Sequence, residues 1–466
     1  MNDEKKVLKS GEHRQGADKA VLPEKKAETP APEKNQTEST DVLPSADASA
    51  EETTEENTVL SDSQVTAHTS SMWKYKPVPD SPEPYPEYER SEGGDDETGI
   101  HVTAARVRGK MHKHDGTNCD DWYAFDFGGG MTFAAVSDGA GSKPFSRIGS
   151  KTASETAVSE MKKRFTDYFS ENPSALSSAA KPFSDAGFTA VCTALAGIMQ
   201  SSVIAAAEAV RSEAEKRRND KALSEAVGRE PVLSDFSCTL LTCAVIPVIA
   251  EESGKRENLV LSVQIGDGMT ATVDSAAAYS SAVSLMGVPD SGEFSGETDF
   301  ITSARMLVPE EIMKRTKVQR RACTHVMMMT DGVADDYFPN LPRMAELFMD
   351  LKANGIIGGS EGAEITEVNR PYVSHIPKPE AYPWVNDNDI LYSYQYTGKV
   401  CDALGITAEQ LWDMPDVLNA ASPYSFGIEA QGDTPCERLC LWLDNYVRRG
   451  SFDDRTLVLI SIDNTI

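Results

Sequence analysis

Residues 121–139 read DWYAFDFGGGMTFAAVSDG, two runs of β-favouring residues joined by three glycines and closed by an aspartate and a glycine. Aromatic and β-branched side chains suit a pleated, half-buried surface, and consecutive glycines supply the backbone freedom a tight turn needs. The stretch is therefore expected as a β-hairpin that ends in a carboxylate. The triple glycine is no phosphate cradle, because neither a helix start nor a lysine follows it.

Upstream, order is expected to begin near Ile100, where HVTAARVRG leads into the hairpin. Downstream, apolar residues recur at helical spacing from about Ser150 to Tyr168 and from about Asp185 to Arg218, which predicts two amphipathic helices in succession. Apolar runs at Cys238–Ile249, Leu259–Ile265, Met269–Asp274, His325–Thr330 and Thr456–Ile462 predict strands. Met327, Met328 and Met329 read as the core of a central strand. Strands and helices come in blocks rather than in strict alternation, which favours α+β architecture on largely antiparallel sheet over a doubly wound parallel sheet.

Residues 1–98 are rich in Pro, Glu, Ser, Thr, Ala and Lys and show no hydrophobic periodicity. Such a segment buries too little apolar area to offset ordering entropy, so a disordered tail is expected. Its aromatics among prolines, at Trp73–Pro77 and Pro84–Tyr88, read as linker or as an extended ligand. The folded domain is expected over 99–466, with an insertion or subdomain at about 336–450, where the patterning is mixed.

A formal net charge of -28 argues against nucleic acid as a partner, because no surplus of Lys and Arg is available to neutralise a phosphate backbone. The eight cysteines are scattered, none in a CxxC or at zinc spacing with His, so reduced thiols and a cytoplasmic location are expected. No apolar stretch of membrane-spanning length is read, and hence no membrane span is expected.

Four apolar strands meet aspartates beside turns: Ala134–Gly139, Val263–Gly268, Met328–Gly332 and Asp453–Leu457. Taken singly, Asp-Gly after a strand is most often a turn. Taken together, they place several carboxylates at strand ends, where a sheet can converge them on one cleft, and clustered carboxylates repel unless cations lie between them. Oxygen-only ligation selects magnesium or manganese over zinc.

At this point the order of motifs resembles the PPM family, the type 2C metal-dependent Ser/Thr protein phosphatases, and more closely its bacterial branch. The pieces, between about Arg106 and Ile462, are Gly116-Thr-Asn-Cys-Asp120, Val136-Ser-Asp-Gly-Ala-Gly-Ser142, Gln264-Ile-Gly-Asp267, Thr330-Asp-Gly-Val-Ala-Asp335 and Asp453-Asp-Arg-Thr456. The resemblance implies a four-layer α-β-β-α sandwich, two mainly antiparallel sheets flanked by helix pairs. It implies that 99–466 is a phosphatase catalytic domain hydrolysing phosphoserine and phosphothreonine in proteins, in a signalling pathway opposite a Ser/Thr kinase. It implies two manganese or magnesium ions, with Asp138 bridging them, the Gly139 carbonyl on one, Asp331 and Asp453 on the other, and Asp120 supporting bound water. A third, looser ion would use Asp267 and Asp335. Water activated between the ions would attack phosphorus in line.

Two departures stand out. Many family members carry an Arg five residues before the N-x-D aspartate, and here that position is Asp115. Arg108, Lys110, His112, Lys113 and His114 are candidates to hold substrate phosphate in its place, His112 foremost, although each taken alone reads better as a solvated side chain. Cys119 stands where the family often has Glu or Gln. A pseudophosphatase or binding module on the same fold is the alternative reading.

Overall fold

Alternation along the central strands sorts their side chains onto two faces, and both faces are buried. In the computed structural model, which describes residues 74–95, 98–287, 298–358, 396–418, 434–444 and 452–463, all described residues fall in the compact unit Leu60–Ile466. The first sheet contains β1 (Tyr88–Asp95), β2 (Ile100–Val107), β7 (Met269–Val273), β8 (Val283–Leu285), β10 (His325–Met329) and β11 (Arg455–Ile462). The second contains β3 (Trp122–Gly128), β4 (Met131–Ser137), β5 (Leu240–Ile249), β6 (Arg256–Ile265) and β9 (Thr316–Arg321). Their orders are β1-β2-β11-β10-β7-β8 and β3-β4-β5-β6-β9, and each pairing is antiparallel.

Between the sheets lie Val102, Val136, Leu241, Val326, Met328 and Val458. The neighbours of these residues point the other way, as period-two side-chain direction requires. Met327, Met329, Leu457 and Leu459 of the first sheet meet a helical layer that includes Phe348, Trp412 and Trp442. Phe133, Ala244, Leu259 and Leu261 of the second meet helices α2 (Ser146–Glu171) and α3 (Ala186–Arg217), which follow the short helix α1 (Lys110–Asp115). The result is the α-β-β-α sandwich. Asp185, whose side chain accepts from the Gly187 amide, caps α3, the kind of cap that satisfies an otherwise orphaned amide.

Helix α3 is long and apolar enough to cross a membrane by length and composition, contrary to the expectation that no such stretch exists. Its Val191, Leu195, Met199, Val203 and Val210 pack instead into the core beneath the second sheet. All eight cysteines are free thiols.

One boundary differs from the sequence reading. Residues 1–73 of the expected tail lie outside the described residues, but its last part is ordered: β1 pairs along its length with β2, from Tyr88 opposite Val107 to Asp95 opposite Ile100. YERSEGGD carries no apolar alternation because β1 is an edge strand held by its main chain. Strand β9, TKVQRR, is polar and was missed for the same reason. The stretch 336–450, expected as an insertion or subdomain, packs in its described parts on the first sheet. Its helices, among them Asn340–Ala353 and Pro435–Asp444, share one core with the first sheet, so it supplies that sheet's outer layer.

Candidate metal centre

Antiparallel register decides which strand ends meet. Met329, the last residue of β10, lies opposite Met269, the first of β7, and opposite Leu457 near the start of β11. Asp331, Asp267 and Asp453–Asp454, just beyond those residues, are thereby brought to one edge of the sandwich. Asp138 arrives there from the second sheet at the end of β4. Its amide donates to Thr239 Oγ1 at 2.9 Å, its carbonyl accepts from the Thr239 amide at 2.8 Å, and Gly139 bridges to Cys238.

Carboxylate oxygens of Asp138, Asp267 and Asp331 all lie within 4.8 Å of one another. Burial, followed by the charges of Asp331, Asp121, Asp453 and Asp267, pushes the Asp138 carboxyl well above the ordinary carboxylate range. Burial, Asp267 and Asp453 do the same to Asp331. Charges so placed are unfavourable until a cation separates them. The donor set fits a hard divalent ion, because the cluster offers oxygen alone and neither His nor Cys belongs to it. Asp267 also accepts from the Thr298 hydroxyl.

Beside the cluster a second acidic group joins His112, Asp453 and Asp454. Asp454 is its anchor: it accepts from the amides of Gly109 at 2.6 Å and Asp120 at 2.5 Å, and it contacts His112 Nδ1 at 2.9 Å. Burial works against charge on both partners. Nevertheless, Asp454 pushes the His112 imidazole up to about 10, and His112 with the two amides holds the Asp454 carboxyl below its ordinary range. The Asp120 carboxyl is pushed up to about 8, first by burial and then by Asp454, with His112 and Arg147 opposing. Asp121 is buried and accepts from the hydroxyls of Thr330 at 2.9 Å and Thr456 at 2.6 Å, tying β3 to the ends of β10 and β11.

Close backbone contacts hold this edge together. A Cβ on Gly139 would lie 2.5 Å from the Asp120 carbonyl, and one on Gly332 would collide with the Asp454 carbonyl. Gly332→Ala is therefore expected to cost about 1–3 kcal/mol, the usual penalty of overpacking, measured by urea denaturation. An unchanged midpoint would mean that the two segments are not in contact.

The expected residues thus divide. Asp138, Asp267 and Asp331 form one cluster. Asp453 adjoins it beside His112 and Asp454, while Asp120 and Gly139 pack against each other next to Asp138. Asp335 is exposed and is not one of the three whose oxygens approach within 4.8 Å, although its charge acts on Asp331 and that of Asp267 acts on it. Two candidates for phosphate binding are less available than the sequence reading expects. Arg108 is buried and donates to Glu87 at 2.7 Å, to the Thr117 carbonyl at 2.9 Å and to the Lys76 carbonyl at 2.5 Å, so its guanidinium is committed to the fold. Burial, with Arg455 adding and Asp444 opposing, pulls the Lys110 ammonium down to about 6. Asp121 and the anchoring part played by Asp454 were missed. The doublets Asp120-Asp121 and Asp453-Asp454 were the available signal.

The profile of the family described as Protein phosphatase 2C matches residues 108–355, more than half of the chain. The chain belongs to the protein phosphatase 2C family, a family of protein-serine/threonine phosphatases. Among solved structures it is similar to the serine/threonine phosphatase Stp1 from Staphylococcus aureus, at 10% identity over 80% of this chain and 99% of that one, with a TM-score of 0.33. It is similar also to a phosphatase from Toxoplasma gondii, at 12% identity over 81% and 96%, TM-score 0.31. RsbX in complex with magnesium is a third, at 10% identity over 80% and 100%, TM-score 0.29. Comparison with curated proteins finds no match.

Proposed function

We propose that this chain hydrolyses phosphoserine and phosphothreonine in proteins, with manganese or magnesium held by Asp138, Asp267 and Asp331 and with Asp453 adjoining. The observation that carries the reading is the meeting of three carboxylates from three separate strand ends within 4.8 Å, a costly arrangement that a divalent cation relieves. Bound there, such ions supply Lewis acidity toward phosphoryl oxygens and lower the pKa of water. Asp120, beside Gly139 and linked through its amide to Asp454, is placed to orient a water at the cluster's margin. His112 stands between Asp454 and the loop after Asp138, with Nε2 toward Gly141. Among the basic candidates, His112 stays foremost for contact with substrate phosphate. A phosphorylated protein as partner, an opposing Ser/Thr kinase and a cytoplasmic setting belong to the same reading, as does a catalytic unit that begins ahead of β1.

The test is hydrolysis of phosphopeptides and of p-nitrophenyl phosphate with and without manganese. Absence of metal-dependent turnover favours a binding module on the same fold, a reading that gains from the commitment of Arg108 to Glu87. Cleavage of the small ester alone would point to a phosphometabolite.

Asp267→Asn is expected to raise the manganese concentration needed for half-maximal turnover by about tenfold or more, since it removes one oxygen of the cluster while Asp138, Asp331 and Asp453 remain. A manganese titration reads this directly. An unchanged titration would place Asp267 outside the metal-binding set.

A further inference from the structure

We propose that Tyr85 is a positioning residue for the loop that carries Asp120 and Asp121 to the acidic cluster; the inference rests on the function proposed above. Tyr85 lies ahead of the span 108–355 matched by the family profile, in a stretch that composition alone marks as linker.

Tyr85 is nonetheless buried, at 8% exposure. Its amide donates to Asn118 Oδ1 at 2.9 Å, and its ring lies 5.1 Å from that of Trp122, tilted by 59°. Asn118 and Trp122 flank Cys119, Asp120 and Asp121, so one residue grips both ends of the loop. Three cations surround the ring, Arg106 at 6.0 Å, Arg147 at 5.8 Å and Lys151 at 5.7 Å from its centroid, the geometry in which an aromatic face attracts positive charge. The chain before Tyr85 is itself fastened: the Pro82 and Glu83 carbonyls accept from Arg147 at 2.8 and 3.1 Å, and the Lys76 amide donates to the Lys113 carbonyl at 2.8 Å.

From the inner side the loop is held by the bond from the Asp120 amide to Asp454 and by the bonds from Thr330 and Thr456 to Asp121. From the outer side it is held by Tyr85. The grip comes from the ring and the backbone amide. Removing the ring leaves a gap behind the loop, and displacement of about 1 Å at a reacting centre costs about a hundredfold in rate.

The experiment uses the full chain with Tyr85→Ala and Tyr85→Phe, read by amide hydrogen exchange and by manganese-supported hydrolysis of p-nitrophenyl phosphate. Tyr85→Ala is expected to speed exchange at 119–121 by about tenfold or more while the central strands β5 and β10 keep their protection. It is expected to lower kcat by ~10- to 100-fold with KM little changed. Tyr85→Phe keeps the ring and is expected to restore both readouts. Unchanged exchange at 119–121, equal acceleration throughout the chain, a loss confined to KM, or failure of Phe to restore the values each overturns the proposal. If the unaltered chain shows no metal-dependent turnover, the phosphatase reading fails, and exchange at 119–121 alone decides the role of Tyr85. Should Tyr85→Ala not fold, Tyr85→Leu replaces it under the same criteria.

Discussion

Asp138→Asn, and separately Asp331→Asn, will reduce manganese-supported hydrolysis of a phosphoserine peptide to the level of a metal-free control while leaving the chain folded. Both residues lie in the cluster whose oxygens approach within 4.8 Å, and each is pushed toward the protonated form by burial and by its neighbours. Removing one charge therefore has two opposite effects. It relieves repulsion in the metal-free protein, whose thermal midpoint should stay level or rise, and it weakens the hold on a divalent ion. A ligand at about a hundred times its dissociation constant adds about 2.7 kcal/mol to the native state. Manganese should thus raise the melting temperature of the parent chain, and raise it much less in either variant. Activity retained in both variants would mean that the cluster is an acidic surface without a catalytic role.

Asp454→Ala should produce the largest loss of stability, about 3–5 kcal/mol, the usual cost of leaving one partner of a buried ion pair alone. Its carboxylate serves the amides of Gly109 and Asp120 and the ring of His112 at once. Truncation leaves two buried donors without their acceptor and takes from His112 the charge that favours its protonated form. Asp454→Asn keeps an acceptor of the same shape and should fall between the parent and Ala. Urea denaturation checks the order. A loss below 1 kcal/mol for Ala would show that His112 and the two amides find other acceptors.

What the sequence made legible follows from periodicity. The helices α2 and α3 and the strands β4, β5, β6, β10 and β11 bury whole faces, so their apolar pattern is strong. The recurring aspartates at strand ends marked the cluster because β4, β7, β10 and β11 all begin or end there. Illegible were features whose partners are far along the chain. Asp121 bonds Thr330 and Thr456, 209 and 335 residues away, and the doublet Asp120-Asp121 marks a pair without saying which of the two makes those bonds. Arg108 lies close to the site in sequence, yet its partner Glu87 sits in a stretch that reads as unstructured. Strand β1 and Tyr85 were hidden in the same way: one pairs through its main chain, and the other is a lone aromatic among prolines whose socket is built by residues 106, 122, 147 and 151. Periodicity reports burial of a face and is blind to a single anchored side chain.

The most direct test of the central claim is anomalous diffraction at the manganese edge from crystals of the full chain grown with manganese. Strong peaks among Asp138, Asp267 and Asp331, with density reaching Asp453, are the expected result. Well-ordered carboxylates with no anomalous peak between them, at manganese concentrations that support turnover, would contradict it.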